Sequence, residues 1–232
     1  MMIKAVILDI DNTLLSFDAY VKYAMKNGFE EFGIGPYQES MYPVFHRINL
    51  GLWEAIERNE ITFEELEKVR WNKVFQALGI SADGPAFETY FRECLFENAI
   101  PVEGAADLLQ YLYGKYLLFA ASNGPYHQQV NRLRIAGMLP FFSQLFISEE
   151  MGCSKPSEQF FQMCLLRINQ KAENLIGPEE IMVIGDSITA DINGGREAGM
   201  KTCLYNPEMR TVSFDQKPDH EVMSLEEVQT FL

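Results

Sequence analysis

The sequence is poor in the residues that form disulfides or bind zinc. Its 232 residues include 4 cysteines and 3 histidines, spread along the chain without a Cys-x-x-Cys pair or any metal-ligand spacing. This distribution argues against a disulfide framework and against a structural zinc site. We expect reduced, buried thiols and a fold that is held together by its own apolar core.

The sequence also lacks long apolar runs. The longest, such as 5–8 and 117–121, are far shorter than the roughly 20 residues that cross a bilayer as a helix. The amino terminus passes directly into a strand-like run and shows no signal-peptide pattern. These features predict a cytoplasmic protein that has no membrane partner.

Positive charge is scarce. The chain has 19 Lys and Arg against 33 Asp and Glu, which gives a formal net charge of −14 at pH 7. Such a chain repels nucleic-acid backbones and anionic membranes, so a nucleic-acid polymer is a disfavoured partner. A small phosphate ester is compatible with this charge if a multivalent cation and a few donors neutralise it locally. The charge says little about the oligomeric state.

What the sequence does contain is an alternation of strand-like and helix-like segments. Apolar, β-branched runs that end in polar residues predict buried parallel strands at 3–8, 116–121, 145–148, 181–184, 202–205 and 221–223. Helical patterns lie between them at 104–113, 125–136, 156–168 and 189–198. Strand–helix alternation with short connections predicts an α/β fold with a doubly wound parallel sheet.

One stretch breaks this alternation. From 16 to 97 the pattern is helical throughout, with helices predicted at 17–32, 42–56, 63–78 and 85–95. Thr62, followed three residues later by Glu65, is a capping-box signature for the third of these helices. The sequence therefore predicts a core domain formed by 1–15 and 98–232, with an all-helical domain inserted at 16–97.

Polar residues follow four of the predicted strands at the point where each strand ends, or a few residues later. They are Asp9, Asp11, Ser122, Asn123, Lys155, Asp186 and Asp191. In an open parallel sheet, ligands bind outside the carboxyl ends of the strands. We therefore expect acids, a hydroxyl–amide pair and one lysine to converge on the same edge.

The residue types in this group indicate phosphoryl chemistry. Clustered carboxylates repel each other unless a cation holds them, and hard oxygen ligands with room for water and phosphate favour Mg²⁺. Asp9 can attack phosphorus and split hydrolysis into two displacements through an aspartyl-phosphate. Asp11 can protonate the leaving oxygen and then take a proton from the attacking water. Ser122 and Lys155 would grip the equatorial phosphate oxygens.

The order of these motifs resembles the haloacid dehalogenase (HAD) superfamily of phosphatases. Its motifs are Asp-x-Asp-x-(Thr/Val), a Ser or Thr, a Lys, and Gly-Asp-x-x-x-x-Asp, and all four occur here in order. The resemblance implies that Asp9 is the nucleophile and Asp11 the acid/base. It also implies that Ser122 and Lys155 bind phosphate, with Asn123 beside them in the phosphate site.

The same resemblance implies a Mg²⁺ site and a Rossmann-like HAD core. Asp9, Asp11 through its backbone carbonyl, and Asp186 would hold the ion, with Asp191 next to them or behind them. The helical insertion is similar to the C1 cap of that family, which closes over the site and excludes water. Asp11 argues against a dehalogenase, because true dehalogenases of the superfamily lack the second aspartate of the first motif.

Several segments, most clearly 185–199 and 205–207, are similar to the YjjG-like pyrimidine 5′-nucleotidase branch. A departure is the run Ser157-Glu158-Gln159 after Lys155 and Pro156, where the family more often has a proline-containing form. The resemblance implies a Mg²⁺-dependent phosphomonoester hydrolase that acts on nucleoside 5′-monophosphates. Asn49, Trp53 and Arg70 are the cap residues that we predict to contact the base or sugar.

Other functions stay open at this point. Within the superfamily they are a sugar- or acyl-sugar-phosphate phosphatase, a phosphomutase and a 2-haloacid dehalogenase. Outside it, a non-catalytic phospho-acceptor module also places an aspartate and a lysine at a sheet edge. Such modules are much shorter than this chain and carry no helical insertion, and Asp11 would have no leaving group to protonate in them.

Overall fold

The chain divides into two compact units in the computed structural model, which describes residues 2–58 and 60–232. The sheet unit runs from the amino terminus to Ser16 and continues with Ala99–Leu232, and the helical unit is Phe17–Asn98. The predicted domain ranges also contain Met1 and Asn59, which lie outside the described residues. That the helical unit serves as a cap stays a prediction.

The described part of the helical unit contains four α-helices. They are α1 Phe17–Glu31, α2 Tyr42–Glu57, α3 Phe63–Leu78 and α4 Gly84–Glu97. Their shared core is aromatic, and the rings of Trp71 and Phe87 lie 4.4 Å apart edge to face. The capping box of α3 is confirmed, since the Thr62 hydroxyl accepts a bond from the Glu65 N–H at 3.2 Å and the Glu65 carboxylate accepts one from the Thr62 N–H at 2.8 Å.

The described part of the sheet unit contains one sheet of six parallel strands in the order β3-β2-β1-β4-β5-β6. The strands are β1 Ala5–Asp9, β2 Leu117–Ser122, β3 Gln144–Ile147, β4 Ile181–Gly185, β5 Lys201–Tyr205 and β6 His220–Val222. Each overlaps a predicted strand, so the predicted doubly wound α/β fold is confirmed. The sheet reverses its strand order between β1 and β4, which is where such sheets bind ligands.

Helices and apolar side chains cover both faces of this sheet. The longer helices are α5 Ala105–Leu112, α6 Tyr126–Ile135 and α8 Glu158–Asn169, and the single-turn helices are α7 Ser148–Met151 and α9 Gly194–Glu197. Alternate residues of β1 enter separate apolar clusters, with Val6 in one that includes Leu108 and Ile7 in one that includes Phe160. Burial on both faces explains why β1 is a continuous apolar run.

The helix predicted at 189–198 differs from the structure. A π-helical turn, Ile188–Asn193, comes first, and the short α9 follows it. The Ser187 hydroxyl caps the π turn by accepting a bond from the Ala190 N–H at 3.0 Å. The apolar pattern of a sequence does not distinguish an α turn from a π turn, so the sequence could not reveal this feature. π turns are rare in proteins, and those that occur often lie at functional sites.

The remaining short elements are 3₁₀ turns. They are Glu39–Met41, Leu139–Phe141, Pro178–Glu180, Phe214–Gln216 and Leu225–Thr230. The cysteines are free thiols, with Cys164 and Cys203 buried and Cys94 and Cys153 partly exposed. Across the two described ranges, every helix is too short or too polar to span a membrane.

Candidate active site

Lys155 lies at the centre of a buried ionic cluster at the carboxyl edge of the sheet. Its ammonium donates to Asp9 Oδ1 at 2.6 Å, to Asp191 Oδ1 at 2.7 Å and to the Ala121 carbonyl at 3.3 Å. The residue is 3% exposed. Because these three bonds use all the protons of the ammonium, Lys155 joins the end of β1 to the π turn.

The backbone of Lys155 is also held in place. The side-chain amide of Asn123 donates to the Lys155 carbonyl at 2.9 Å and accepts from the Lys155 N–H at 2.9 Å. Asn123 follows β2, so this pair of bonds fixes the lysine loop to the adjacent strand end. The Asn123 side chain therefore positions Lys155, and a direct phosphate contact from Asn123 stays a prediction.

Three carboxylates form a group that can hold a metal ion. One oxygen each from Asp9, Asp186 and Asp191 lies within 4.8 Å of the other two. A Cβ atom at Gly185 would lie 2.2 Å from Asp191 Oδ2, so only glycine leaves room for this carboxylate. The Ser187 N–H donates to the same oxygen at 3.1 Å. These contacts explain why the motif has a glycine at position 185 and an aspartate at position 191.

The charges of this cluster do not balance. Burial raises the pKa of Asp9 to about 7, with Lys155 opposing that change and Asp191 adding to it. Burial also raises the pKa of Asp186, and the nearby carboxylates of Asp9 and Asp191 raise it further. Burial alone would lower the pKa of Lys155, but Asp191 and Asp9 raise it overall. The lysine stays charged, and the excess of carboxylates favours a bound cation.

The Asp11 carboxylate points to a different set of partners and is outside the three-carboxylate group found among the described residues. Its Oδ1 accepts from Arg132 Nη1 at 2.5 Å and its Oδ2 accepts from Gln129 Nε2 at 2.5 Å. If Asp11 contributes to a metal site, its backbone carbonyl is the atom that the family resemblance implies. Ser122 joins the Asp11 network, because its hydroxyl oxygen accepts from Gln129 Nε2 at 2.7 Å.

Sequence reasoning missed three residues of this site. Gln129 and Arg132 are fully buried on α6, and Arg210 donates from Nη2 to the Asp186 carbonyl at 2.7 Å. The available signal for the first two was a glutamine and an arginine three residues apart on a helix, next to the buried Leu133. No sequence pattern marked Arg210, because its contact depends on how the loop after β5 folds back.

The three predicted specificity residues lie in the helical unit. Arg70 is 4% exposed and donates from Nε to Glu88 Oε2 at 3.0 Å, from Nη2 to Glu88 Oε1, and from Nη1 to Asn49 Oδ1 at 3.2 Å. Trp53 is partly exposed and lies 5.6 Å from the Phe63 ring. Arg70 and Asn49 are thus bonded within the unit, and a substrate contact from any of the three stays a prediction.

Comparisons with known proteins agree with this arrangement of motifs. Residues 3–199 match a family model described as a haloacid dehalogenase-like hydrolase. The HAD-hydrolase YfnB of Bacillus subtilis is 35% identical over 99% of this chain and 95% of its own length. A crystal structure of YfnB, described as bound to magnesium, has a TM-score of 0.90 over 100% of this chain and 99% of that one.

Two further relatives are described as pyrimidine 5′-nucleotidases. PynA of Streptococcus pneumoniae is 33% identical over 98% of this chain and 94% of its own length. YjjG of Escherichia coli is 26% identical over 98% of this chain and 96% of its own length. The predicted resemblance to the YjjG-like branch is confirmed by these matches.

Proposed function

This chain belongs to the haloacid dehalogenase-like hydrolase family, and from that premise we propose that it is a Mg²⁺-dependent phosphatase of nucleoside 5′-monophosphates. The observation that carries the proposal is the buried Lys155 cluster, in which a strand-end aspartate, a lysine and two further acids meet. Relatives described as pyrimidine 5′-nucleotidases, similar over nearly the whole chain, support the choice of leaving group.

Asp9 is the nucleophile of the proposed mechanism. Lys155 binds its Oδ1 at 2.6 Å, so we assign the attack to Oδ2. This oxygen forms a bond to phosphorus while the bond from phosphorus to the ester oxygen breaks, which leaves an aspartyl-phosphate. In the second step a water oxygen bonds to phosphorus, the bond to Asp9 breaks, and inorganic phosphate is released.

Asp11 moves the proton in both steps. In the first step its carboxyl group protonates the departing alkoxide, and in the second its carboxylate takes a proton from the attacking water. The side chain is part-exposed, at 32%, so a substrate can approach it. Its position beside Ser122, through the shared partner Gln129, puts it close to the phosphate site that we propose.

The transferring phosphate needs donors that do not reorganise during the reaction. Ser122 is 3% exposed at the end of β2, and the ammonium of Lys155 is a positive charge held in place by two carboxylates and a carbonyl. A preorganised hydroxyl and a fixed positive charge stabilise the negative charge that develops on the equatorial oxygens. The N–H groups that follow Tyr126 in the first turn of α6 can add to this stabilisation, whereas the N–H of Tyr126 itself donates to Glu149 Oε2 at 2.8 Å.

The residues fit a Mg²⁺ ion. Asp9, Asp186 and Asp191 supply hard oxygen ligands that lie within 4.8 Å of one another. The raised pKa of Asp9 reflects burial together with the repulsion among these acids, which a cation relieves. The magnesium described for the YfnB crystal structure supports the choice of metal. When bound, the ion would reduce the repulsion between the nucleophile and the phosphate oxygens.

The test is a panel of nucleoside 5′-monophosphates and sugar phosphates, assayed for phosphate release with Mg²⁺ and after chelation. We expect the pyrimidine nucleotides to give the largest kcat/KM and chelation to abolish turnover. A profile led by sugar phosphates would favour the alternative sugar-phosphate phosphatase, and equal rates for all esters would contradict the nucleotidase assignment alone. Absence of phosphate release from every ester would contradict the phosphatase itself.

A further inference from the structure

Two buried side chains of α6 are hydrogen-bonded to the Asp11 carboxylate, and the proposed mechanism gives neither of them a role. Arg132 binds one oxygen of the carboxylate and Gln129 binds the other. Both residues are 0% exposed, although Asp11 itself is part-exposed. Holding each oxygen by a separate donor fixes the carboxylate in both position and rotation.

The orientation of the Gln129 amide follows from its partners. Its Oε1 accepts from Arg132 Nη1 at 2.9 Å, and an arginine can only donate. The nitrogen must therefore face the other way, toward Asp11 Oδ2 and Ser122 Oγ, which it reaches at 2.5 Å and 2.7 Å. The amide thus holds the side chains of two motifs that are far apart in sequence.

This amide also decides what the Ser122 hydroxyl can do. The hydroxyl oxygen accepts from the Gly124 N–H at 3.0 Å and from Gln129 Nε2 at 2.7 Å. A hydroxyl has two acceptor positions and one proton. Because both acceptor positions are used, the proton is left to donate to another group. An oxygen of a bound phosphate is such a group.

The backbone next to Ser122 makes room for this contact. A Cβ atom at Gly124 would lie 2.7 Å from Gln129 Nε2 and 3.3 Å from Ser122 Oγ. The backbone of Gly124 does not have a positive φ, so the glycine is explained by space and not by conformation. An alanine at this position would push directly on the bonded amide.

The burial of this pair is hard to explain by stability alone. Within residues 2–58 and 60–232, Arg132 Nε and Nη2 have no hydrogen-bond partner. Buried donors without partners cost free energy, and an apolar residue on this face of α6 would avoid that cost. The arginine is accounted for by its contacts to Asp11 and Gln129.

We propose that Gln129 and Arg132 are positioning residues, which set the orientation of the proton-transferring Asp11, and that Gln129 also aims the Ser122 hydroxyl at the phosphate. The inference rests on the proposed phosphatase function and extends it to two residues of α6. Arg132 orients the Asp11 carboxylate and the Gln129 amide. Gln129 contributes both to proton transfer, through Asp11, and to phosphate binding, through Ser122.

The experiment compares Gln129→Leu and Arg132→Met with Arg134→Met as the control. Arg134 is an exposed residue of the same helix, and its Nη1 donates to Asn131 Oδ1 at 3.1 Å. The substrates are phenyl phosphate and p-nitrophenyl phosphate. Neither carries a base or sugar, so the comparison does not depend on nucleotide recognition. The p-nitrophenolate leaves without a proton, whereas the phenolate needs one. Release of the phenol is followed in the first turnover, and inorganic phosphate is tested as an inhibitor.

We expect the first turnover of phenyl phosphate to slow by about 10²-fold or more in both variants, because general acid catalysis contributes that much. The first turnover of p-nitrophenyl phosphate should slow much less. Inhibition by inorganic phosphate should weaken most in Gln129→Leu and less in Arg132→Met, where the amide loses its bond from Arg132 but keeps those to Asp11 and Ser122. Arg134→Met should match the wild type, and Gly124→Ala, which keeps both side chains, should reproduce the Gln129→Leu pattern in a milder form.

Folded variants that slow both esters equally, or that stay within about threefold of the wild type on each, would overturn the positioning roles. If Gln129→Leu and Arg132→Met do not fold, Gly124→Ala decides the question by the same criteria. A wild-type protein that releases no phosphate from either aryl ester or from any nucleotide or sugar phosphate of the panel above would instead contradict the proposed function, so the two failures can be told apart.

Discussion

The two units of this protein each bury an ionic cluster, and the clusters differ in their balance of charge. In the helical unit Arg70 pairs with Glu88, both 4% exposed, and the guanidinium also lies 4.8 Å from the centre of the Phe91 ring. In the sheet unit the ammonium of Lys155 binds two carboxylates, and a third, that of Asp186, lies within 4.8 Å of both. The first cluster is neutral as a pair, and the second carries excess negative charge.

This difference distinguishes an ion pair that stabilises the fold from an ionic cluster that is suited to binding a cation. A neutral buried pair satisfies its own charges, so its loss leaves an uncompensated ion in the interior. A cluster with excess charge is costly to the fold and becomes favourable only when a cation binds to it. We therefore expect mutations of the helical-unit pair to change stability, and mutations of the Lys155 cluster to change chemistry.

The largest effect is predicted for Asp9→Asn. Removing the proposed nucleophile should lower phosphate release by at least about 10⁴-fold, since the covalent route would be lost. The melting temperature should stay close to that of the wild type, because an amide at this position removes some of the repulsion with Asp191 and Asp186. Both quantities are measured on the same preparation. Turnover near the wild-type rate would end the covalent mechanism.

The next largest effect is predicted for Glu88→Gln, which should destabilise the protein. The guanidinium of Arg70 would stay buried without its counter-charge, at a cost of about 3–5 kcal/mol. Urea denaturation measures this loss. Replacing both partners, with Arg70→Met and Glu88→Leu, should restore much of it. The matched control is Glu64→Gln, which breaks an exposed pair with Lys68 and should change stability little. A small loss in Glu88→Gln would contradict the contrast between the two clusters.

Binding of Mg²⁺ should stabilise the sheet unit by a smaller amount. At a Mg²⁺ concentration of 100 times Kd, linkage gives about 2.7 kcal/mol. The rise in melting temperature should be lost in Asp186→Asn, because that change removes a carboxylate from the group of three that we propose to hold the ion. Calorimetry with and without a chelator measures the effect. An equal rise in the wild type and Asp186→Asn would place the ion elsewhere.

The smallest effect is predicted for Asp219, which belongs to neither cluster. Burial would raise its pKa, but bonds from Lys201 and Thr202 lower the pKa overall from 3.8. A depressed pKa in the folded state stabilises the protein above pH 3.8, and this contribution is lost as the pH falls through the folded value. Asp219→Asn should cost less than about 1 kcal/mol at pH 7, because solvent screens the pair. Urea denaturation at pH 7 and pH 3 should show the difference shrinking at low pH.

The sequence was sufficient for those parts of the fold and site that depend on local pattern. Buried runs located the strands, and the carboxyl ends of parallel strands share an edge, so Asp9, Lys155 and Asp186 could be expected together. The Thr62 cap was readable because its partner, Glu65, is three residues away. In each of these cases the inference needed only neighbours along the chain or the register of parallel strands.

Other features depended on contacts that no local pattern encodes. Gln129 reaches Asp11 across 118 residues, and the pairing of Arg70 with Glu88 joins α3 to α4. The sequence marked Arg70 as a residue that contacts the base or sugar, which stays a prediction, but it did not reveal that the guanidinium is bonded to Glu88 and Asn49 within the helical unit. A pattern shows that a polar residue is placed on a helix, but its partner is decided by tertiary packing.

The π turn Ile188–Asn193 makes the length of one short segment matter as much as its composition. Side chains on an α-helix step around its axis by about 100° per residue, and those of a π turn, whose bonds span one residue more, step by a somewhat smaller angle. Removing a single residue between Ser187 and Asp191 would turn the Asp191 carboxylate away from Lys155, even if all the residues of the motifs were kept. Variants designed on this scaffold must therefore conserve the residue count here, and a homologue shortened by one position would have to supply that acid from another place in its chain.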